Sequence, residues 1–217
     1  MPPEGGSPAP RSLILLRHGE TDWNRERRIM GDLDIPLNET GREQSRRTGA
    51  LLRELPIDRL VSSPMLRATE TASIVGEALG LETTLDADLA EVRFGSWQGS
   101  TYDEIMDDPE YDAYRIDPIH HKTPGGESII DVQTRARAAF ERAEAGACTL
   151  FVSHGDIIRS ALAHFLAIPL EKFRRLRVDN CSVSAFGVIG DQVEVKFVNL
   201  LADADRAWSE LHWNRPR

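Results

Sequence analysis

The chain has 217 residues, with 35 Asp and Glu against 26 Lys and Arg, for a formal net charge of -9. That length fits one domain with a sizeable core, and 41% hydrophobic with 28% charged residues is an ordinary globular composition. The acidic balance argues against nucleic acid, which asks for a basic face, and against an anionic membrane surface; read globally, it speaks against an anionic substrate too.

In chain order, Met1 to Ser12 is rich in Pro, Gly, Ser and Ala. It has no apolar core of the kind a signal peptide needs, so residues 1–11 are expected to be a disordered leader. Ser12-Leu13-Ile14-Leu15-Leu16 is a continuous apolar run ending at Arg17-His18-Gly19. Such a run suits a strand buried on both faces of a parallel sheet. Thr40-Gly41-Arg42-Glu43 has the form of a capping box, with Thr40 as N-cap. The helix it opens is expected to turn Leu51, Leu52 and Leu55 to one side. Arg59 to Ser62 is a short strand, and Ser63-Pro64 reads as N-cap and first residue of the next helix. On that helix Ala68, Ala72, Val75 and Leu79 share a face, and Gly80 ends it.

Residues 95–126 are irregular and carry Pro109, Pro118, Pro124 and Gly125-Gly126, which predicts an insertion of short helices, a small lid over one end of the sheet. Ser128 to Ala145 is a helix with Ile129, Val132, Ala136, Phe140 and Ala143 inward. Cys148 to Val152 is a second buried strand, ending at Ser153-His154-Gly155-Asp156. Ile158, Ala161, Leu162, Phe165 and Leu166 mark another helix, closed by Pro169, on which His164 reads as packing. Residues 182–189 and 192–199 form a hairpin turned at Gly190-Asp191, and a tail with Trp208 and Trp213 follows. The hairpin offers an edge strand through which a homodimer could form. Cys148 and Cys181 read as two buried free thiols, and no apolar run reaches the ~18 residues that span a bilayer. The expected location is cytoplasmic.

The alternation of strands and helices predicts an α/β fold, a three-layer α/β/α arrangement. Ligands of such sheets sit beyond the carboxyl ends of the strands. Both buried strands stop at that end in a cluster of Arg, His and Gly. If they are neighbours, His18 and His154 face one crevice. Arg67 lies in the first turn of the helix after Pro64, and Glu91 precedes a Gly-rich turn. Two guanidinium forks, two imidazoles and the amides of a turn make a phosphate pocket. An imidazole held there can attack phosphorus, and a carboxylic acid such as Glu91 can protonate the leaving oxygen and later deprotonate water.

Leu16-Arg17-His18-Gly19-Glu20-Thr21-Asp22-Trp23-Asn24 resembles the signature of the histidine phosphatase superfamily, in its phosphoglycerate-mutase-like branch. The likeness continues through Asp34 to Gly41, Ser62 to Ala72, Glu91 to Gly99, Gly125 to Ser128 and Ser153-His154-Gly155, in family order, over residues 12 to about 190. The resemblance implies a histidine phosphatase domain over residues 12–217. Its sheet would be six-stranded and mostly parallel, with helices on both faces. It also implies roles. His18 would be the nucleophile that becomes phosphohistidine; Arg17, Arg67 and His154 would bind the transferring phosphoryl group, with Asn24 hydrogen-bonded to it. Glu91 would be the proton donor and acceptor, and Thr21, Met30, Gly31 and the Gly155 amide would line the entrance. No metal and no cofactor are implied.

The reading that follows is a metal-independent phosphatase hydrolysing a small phosphorylated metabolite. A phosphoglycerate mutase-type transfer is the alternative. It asks for a longer closing insertion between Glu91 and Gly125 than the chain offers, and within residues 95–126 only Arg115 and His120-His121-Lys122 are basic. Those residues read as solvated lid charges or as substrate contacts. A binder that has lost catalysis is disfavoured because His18, Glu91 and His154 are all intact. Phe94 stands where the metal-independent phosphoserine phosphatases of the family carry histidine, which counts against phosphoserine.

Overall fold

In the computed structural model, which describes residues 9–203, the first apolar run is strand β1, Arg11–Arg17. It starts at Arg11, inside the stretch expected to be leader. Its side chains alternate between two buried clusters, Leu13 and Leu15 in one, Ile14 and Leu16 in the other. A strand covered on both faces has no polar side, hence the unbroken run.

A single helical turn, α1 (Asp22–Arg25), leads to α2 (Glu39–Leu52). The cap of α2 is Asn38, not Thr40: Asn38 Oδ1 accepts from the Gly41 amide at 2.9 Å, which leaves Thr40 inside the first turn. Nor does the leucine face form. Leu52 is buried, but Leu51 and Leu55 are exposed, and the inner face is Gly41, Ser45, Thr48, Gly49 and Leu52. The reason is close approach: a Cβ on Gly49 would sit 2.9 Å from that of Ala78 on the next helix, so small residues hold the contact. After β2 (Arg59–Ser62) comes α3 (Leu66–Leu79), capped by Met65, later than Ser63-Pro64 predicts. It ends at Gly80, whose φ of +68° is open to glycine without cost. β3 (Thr83–Leu85) follows.

The expected lid holds a 3-10 turn at Gly95–Trp97, then α4 (Tyr102–Ile105) and α5 (Pro109–Ile116). Trp97, Ile105, Tyr114 and Ile119 are buried within the Leu13/Leu15 cluster, so the segment is anchored in the main core. Then come α6 (Ile129–Glu141), β4 (Cys148–Ser153), α7 (Gly155–Phe165), an unforeseen 3-10 helix at Leu170–Arg175, β5 (Val183–Ile189) and β6 (Gln192–Leu200).

The six strands form one sheet in the order β3-β2-β4-β1-β5-β6. β1, β2, β3 and β4 pair in parallel, while β5 runs antiparallel to both β1 and β6. Leu52 of α2 with Ala68, Ala72 and Val75 of α3 closes one face; Val132, Ala136 and Phe140 of α6 with Ile158 and Leu162 of α7 closes the other. This is the three-layer α/β/α architecture that the sequence predicts. Cys181 is buried and Cys148 only half-buried, both free, and His164 is exposed beside Phe165. Trp208, Trp213 and His212 lie outside the described residues. Among the described residues no helix is long and apolar enough to cross a membrane.

Candidate active site

Because β1 and β4 are parallel neighbours with Arg17 opposite Ser153, the chain leaves both strands at the same edge. The His18 amide donates to the Ser153 carbonyl at 2.9 Å, and the His18 and His154 rings come to 5.2 Å between centroids. Both rings are buried, at 1% and 0% exposure. His18 Nδ1 lies 2.7 Å from the Gly19 carbonyl. A carbonyl only accepts, so Nδ1 carries the hydrogen and Nε2 the lone pair. Burial, with Arg67 and then Arg17 alongside, holds the His18 pKa well below the ordinary histidine value, so the ring is neutral. His154 Nε2 meets Ser63 Oγ at 2.7 Å. The same oxygen accepts from the Met65 amide at 3.3 Å. The His154 pKa is also well below normal, through burial first and then Arg67, His18 and Arg17.

Arg67, in the first turn of α3, is fully buried. Its Nη1 donates to Leu33 O at 2.8 Å and its Nη2 to Gly31 O at 2.7 Å. Arg17 Nη1 donates to Val178 O at 2.8 Å. Burial lowers both guanidinium pKa values, that of Arg67 to about 10. Three buried nitrogens, Arg17 Nε, Arg67 Nε and His154 Nδ1, have no hydrogen-bond partner among the described residues. Buried polar groups are almost always paired, so two unpaired guanidinium donors beside an unpaired imidazole nitrogen mark a place built for an anion. α7 points its N-terminus there too, starting at Gly155, where a Cβ would lie 3.6 Å from Arg17 Nε.

The remaining expected residues fall around this centre. Asn24 Oδ1 accepts from Thr21 N at 3.0 Å, Thr21 Oγ1 at 3.1 Å and Asn180 Nδ2 at 3.2 Å, which fixes the rotamer of Asn24. Met30 Sδ lies 3.4 Å from Thr21 Oγ1. Gly31 has φ +53°, a conformation that favours glycine, and a Cβ there would reach 2.2 Å from Gln98 Oε1, so the Gln98 side chain would have to move. Glu91 is half-buried and accepts from the Val92 amide at 3.0 Å. Burial, and after it the charge of Asp156, pushes its pKa up. By contrast, Arg115 pairs with Asp112, His120 with Asp117, His121 with Glu110 and Lys122 with Asp131, so these lid side chains are engaged by nearby carboxylates.

Several residues at the site escaped the sequence reading. Asn180 Nδ2 donates to His18 O at 3.1 Å and reaches Gly19 O at 3.3 Å, bracing the histidine loop. Thr71 Oγ1 accepts from Gly19 N at 3.0 Å and donates to Arg67 O at 2.7 Å, tying β1 to α3. Arg135 donates to Asp88 O, Ala90 O and Glu91 O at 2.8, 2.6 and 3.2 Å and is itself held by Glu127, so it sets the loop that carries Glu91. Two of them had an advance signal, since Thr71 stands in the Ser62 to Ala72 block and Glu127 in the Gly125 to Ser128 block. The others are ordinary polar residues without periodicity.

Comparisons with known proteins agree with this geometry. The family profile of the histidine phosphatase superfamily (branch 1) matches residues 13–201. A probable phosphoglycerate mutase, GpmB, of Salmonella choleraesuis strain SC-B67 is 35% identical over 179 residues, covering 79% of this chain and 82% of that protein. Among solved structures, a mycobacterial glucosyl-3-phosphoglycerate phosphatase complexed with VO3 superposes with a TM-score of 0.78 at 31% identity, covering 87% of this chain and 98% of that one. Bacillus stearothermophilus YhfR gives a TM-score of 0.78 at 35% identity, covering 86% and 95%. By sequence and by fold, the chain belongs to the histidine phosphatase superfamily, branch 1.

Proposed function

We propose that the protein is a phosphomonoesterase that hydrolyses a small phosphorylated metabolite through a phosphohistidine on His18. The observation that carries this reading is the set of three buried nitrogens without a partner among the described residues, Arg17 Nε, Arg67 Nε and His154 Nδ1, gathered beside a neutral imidazole whose Nε2 holds the lone pair. Phosphoryl transfer needs positioning and neutralisation of charge above all. In the first step Nε2 of His18 forms a bond to phosphorus as the ester P–O bond breaks, and Glu91 gives its proton to the departing alkoxide. In the second, Glu91 takes a proton from water, the oxygen bonds to phosphorus, and the N–P bond breaks. Arg17, Arg67, His154 and Asn24 hold the phosphoryl oxygens; Thr21, Met30, Gly31 and the Gly155 amide line the approach. Two unpaired cysteines support a reducing, cytoplasmic compartment.

The test is phosphate release from p-nitrophenyl phosphate and a panel of metabolite esters, with trapping of acid-labile phosphate on the protein. His18→Ala abolishes both; turnover persisting in that variant would exclude the reading. A mutase is the second reading, favoured by the 35% identity to the probable phosphoglycerate mutase. Catalytic bisphosphoglycerate with 3-phosphoglycerate separates the two: a mutase isomerises the ester, and a phosphatase releases phosphate.

A further inference from the structure

Beside the phosphoryl pocket lies a cavity of about 290 Å³, bounded by the insertion, the first turns of α7 and the 3-10 helix that follows it. Its wall is aromatic and rigid. Trp97 packs edge-on against Tyr114 at 5.2 Å, and Phe94 and Tyr111 flank that pair at 6.5 and 6.2 Å. Its inner end is formed by Asp156 and Arg159, which are paired at 2.8 Å. Arg159 Nη1 would stand 3.2 Å from a Cβ on Gly155, so this end of the cavity adjoins the phosphate site. Tyr102, half exposed, marks the mouth.

The cavity opens next to the phosphoryl site at Gly155, where one Cβ position would lie 3.2 Å from Arg159 Nη1 and 3.6 Å from Arg17 Nε, so it is within reach of the alcohol of an ester bound there. Arg174 is the distinctive group. It stacks on the Tyr114 ring at 4.8 Å and donates to the Tyr114 hydroxyl, which fixes its plane. Among the described residues no carboxylate pairs with it, whereas Arg159 already has Asp156. A guanidinium with no carboxylate partner among the described residues, in a cavity that Asp156 also lines, matches the single charge and planar shape of a carboxylate better than a second phosphate.

We propose that this cavity seats the alcohol portion of the substrate and that Arg174 selects phosphomonoesters whose alcohol carries a carboxylate on a ring or apolar skeleton. The inference rests on the phosphatase reading. It is tested with 4-(carboxymethyl)phenyl phosphate and 4-(2-hydroxyethyl)phenyl phosphate, which share a ring and release nearly equivalent phenols. The native protein is expected to favour the carboxylate ester by about tenfold or more in kcat/KM, the worth of one charge-assisted contact. Arg174→Gln brings the ratio towards one, mainly through KM, and Arg174→Lys, which keeps the charge without the fork, falls between. A native ratio near one, or an unchanged ratio in Arg174→Gln, overturns the proposal while leaving the phosphatase reading intact. No phosphate release from either ester or from p-nitrophenyl phosphate overturns that reading, and this inference with it.

Discussion

One carbonyl decides where the lone pair of His18 points. Gly19 O takes the Nδ1 hydrogen, Asn180 braces that carbonyl, and Nε2 is left for phosphorus. The proton inventory follows from burial. His18 is driven below its ordinary pKa by desolvation and then by Arg67 and Arg17, so the nucleophile of the proposed reaction stays unprotonated as pH falls below the usual histidine range. Glu91 is driven the other way, by desolvation first and by Asp156 second, against the opposing pull of Arg67, the Val92 amide and Arg17. It therefore keeps its proton to higher pH than a free carboxyl, as the general acid of the proposed reaction requires. The expected profile of kcat/KM on an alkyl ester holds through mildly acidic pH and falls as pH rises through the Glu91 pKa. Asp156→Asn removes a negative charge, lowers that pKa and moves the falling limb to lower pH. A limb that stays put or moves up would show that Asp156 does not tune the acid.

The site is assembled where elements end. β1 and β4 deliver His18 and His154, and the first turn of α3 delivers Arg67. These ends are locked by contacts too tight for a side chain. A Cβ on Gly19 would fall 2.5 Å from Gly41 O, and one on Gly41 would fall 2.1 Å from Glu20 O. Both obstacles are backbone, so neither can swing aside. Gly41→Ala is expected to cost roughly 1–3 kcal/mol, read as a lower denaturant midpoint, and to reduce kcat because the strain lies next to His18. The apolar runs of β1 and β4 and their Arg/His/Gly ends were legible in the sequence, since a strand buried on both faces cannot hide its composition. The cap and inner face of α2 were not. Asn38 competes with Thr40 for the same free amides, and the helix meets α3 through Gly49, a contact that no hydrophobic pattern records.

Over the whole molecule a charge of -9 coexists with a buried cluster of Arg17, Arg67 and two neutral histidines. A cleft focuses its own charges, so the global sign does not fix the local one. Keeping His18 and His154 neutral has a thermodynamic consequence. Their folded pKa values lie below the unfolded value near 6.5, so their contribution to stability is complete above that pH. It is lost as pH falls, because the unfolded chain binds protons first. The Tm is expected to drop between pH 7 and pH 5, and His18→Gln, which cannot titrate, should flatten that drop. An equal drop in the variant would mean that His18 is solvated in the folded protein.

The sequence by itself determined the layered α/β architecture, the two strands that end in histidine and the family to which they belong. These rest on local runs and ordered motifs, and both are written along the chain. Only the tertiary structure decided which nitrogen of His18 is free, which buried nitrogens lack a partner among the described residues, that Arg135 and Glu127 hold the Glu91 loop, and that no described carboxylate pairs with Arg174 beside an aromatic cavity. Their partners are carbonyls and rings far away in sequence. Every residue has a carbonyl, so nothing in the order of side chains reveals which one a given donor will meet.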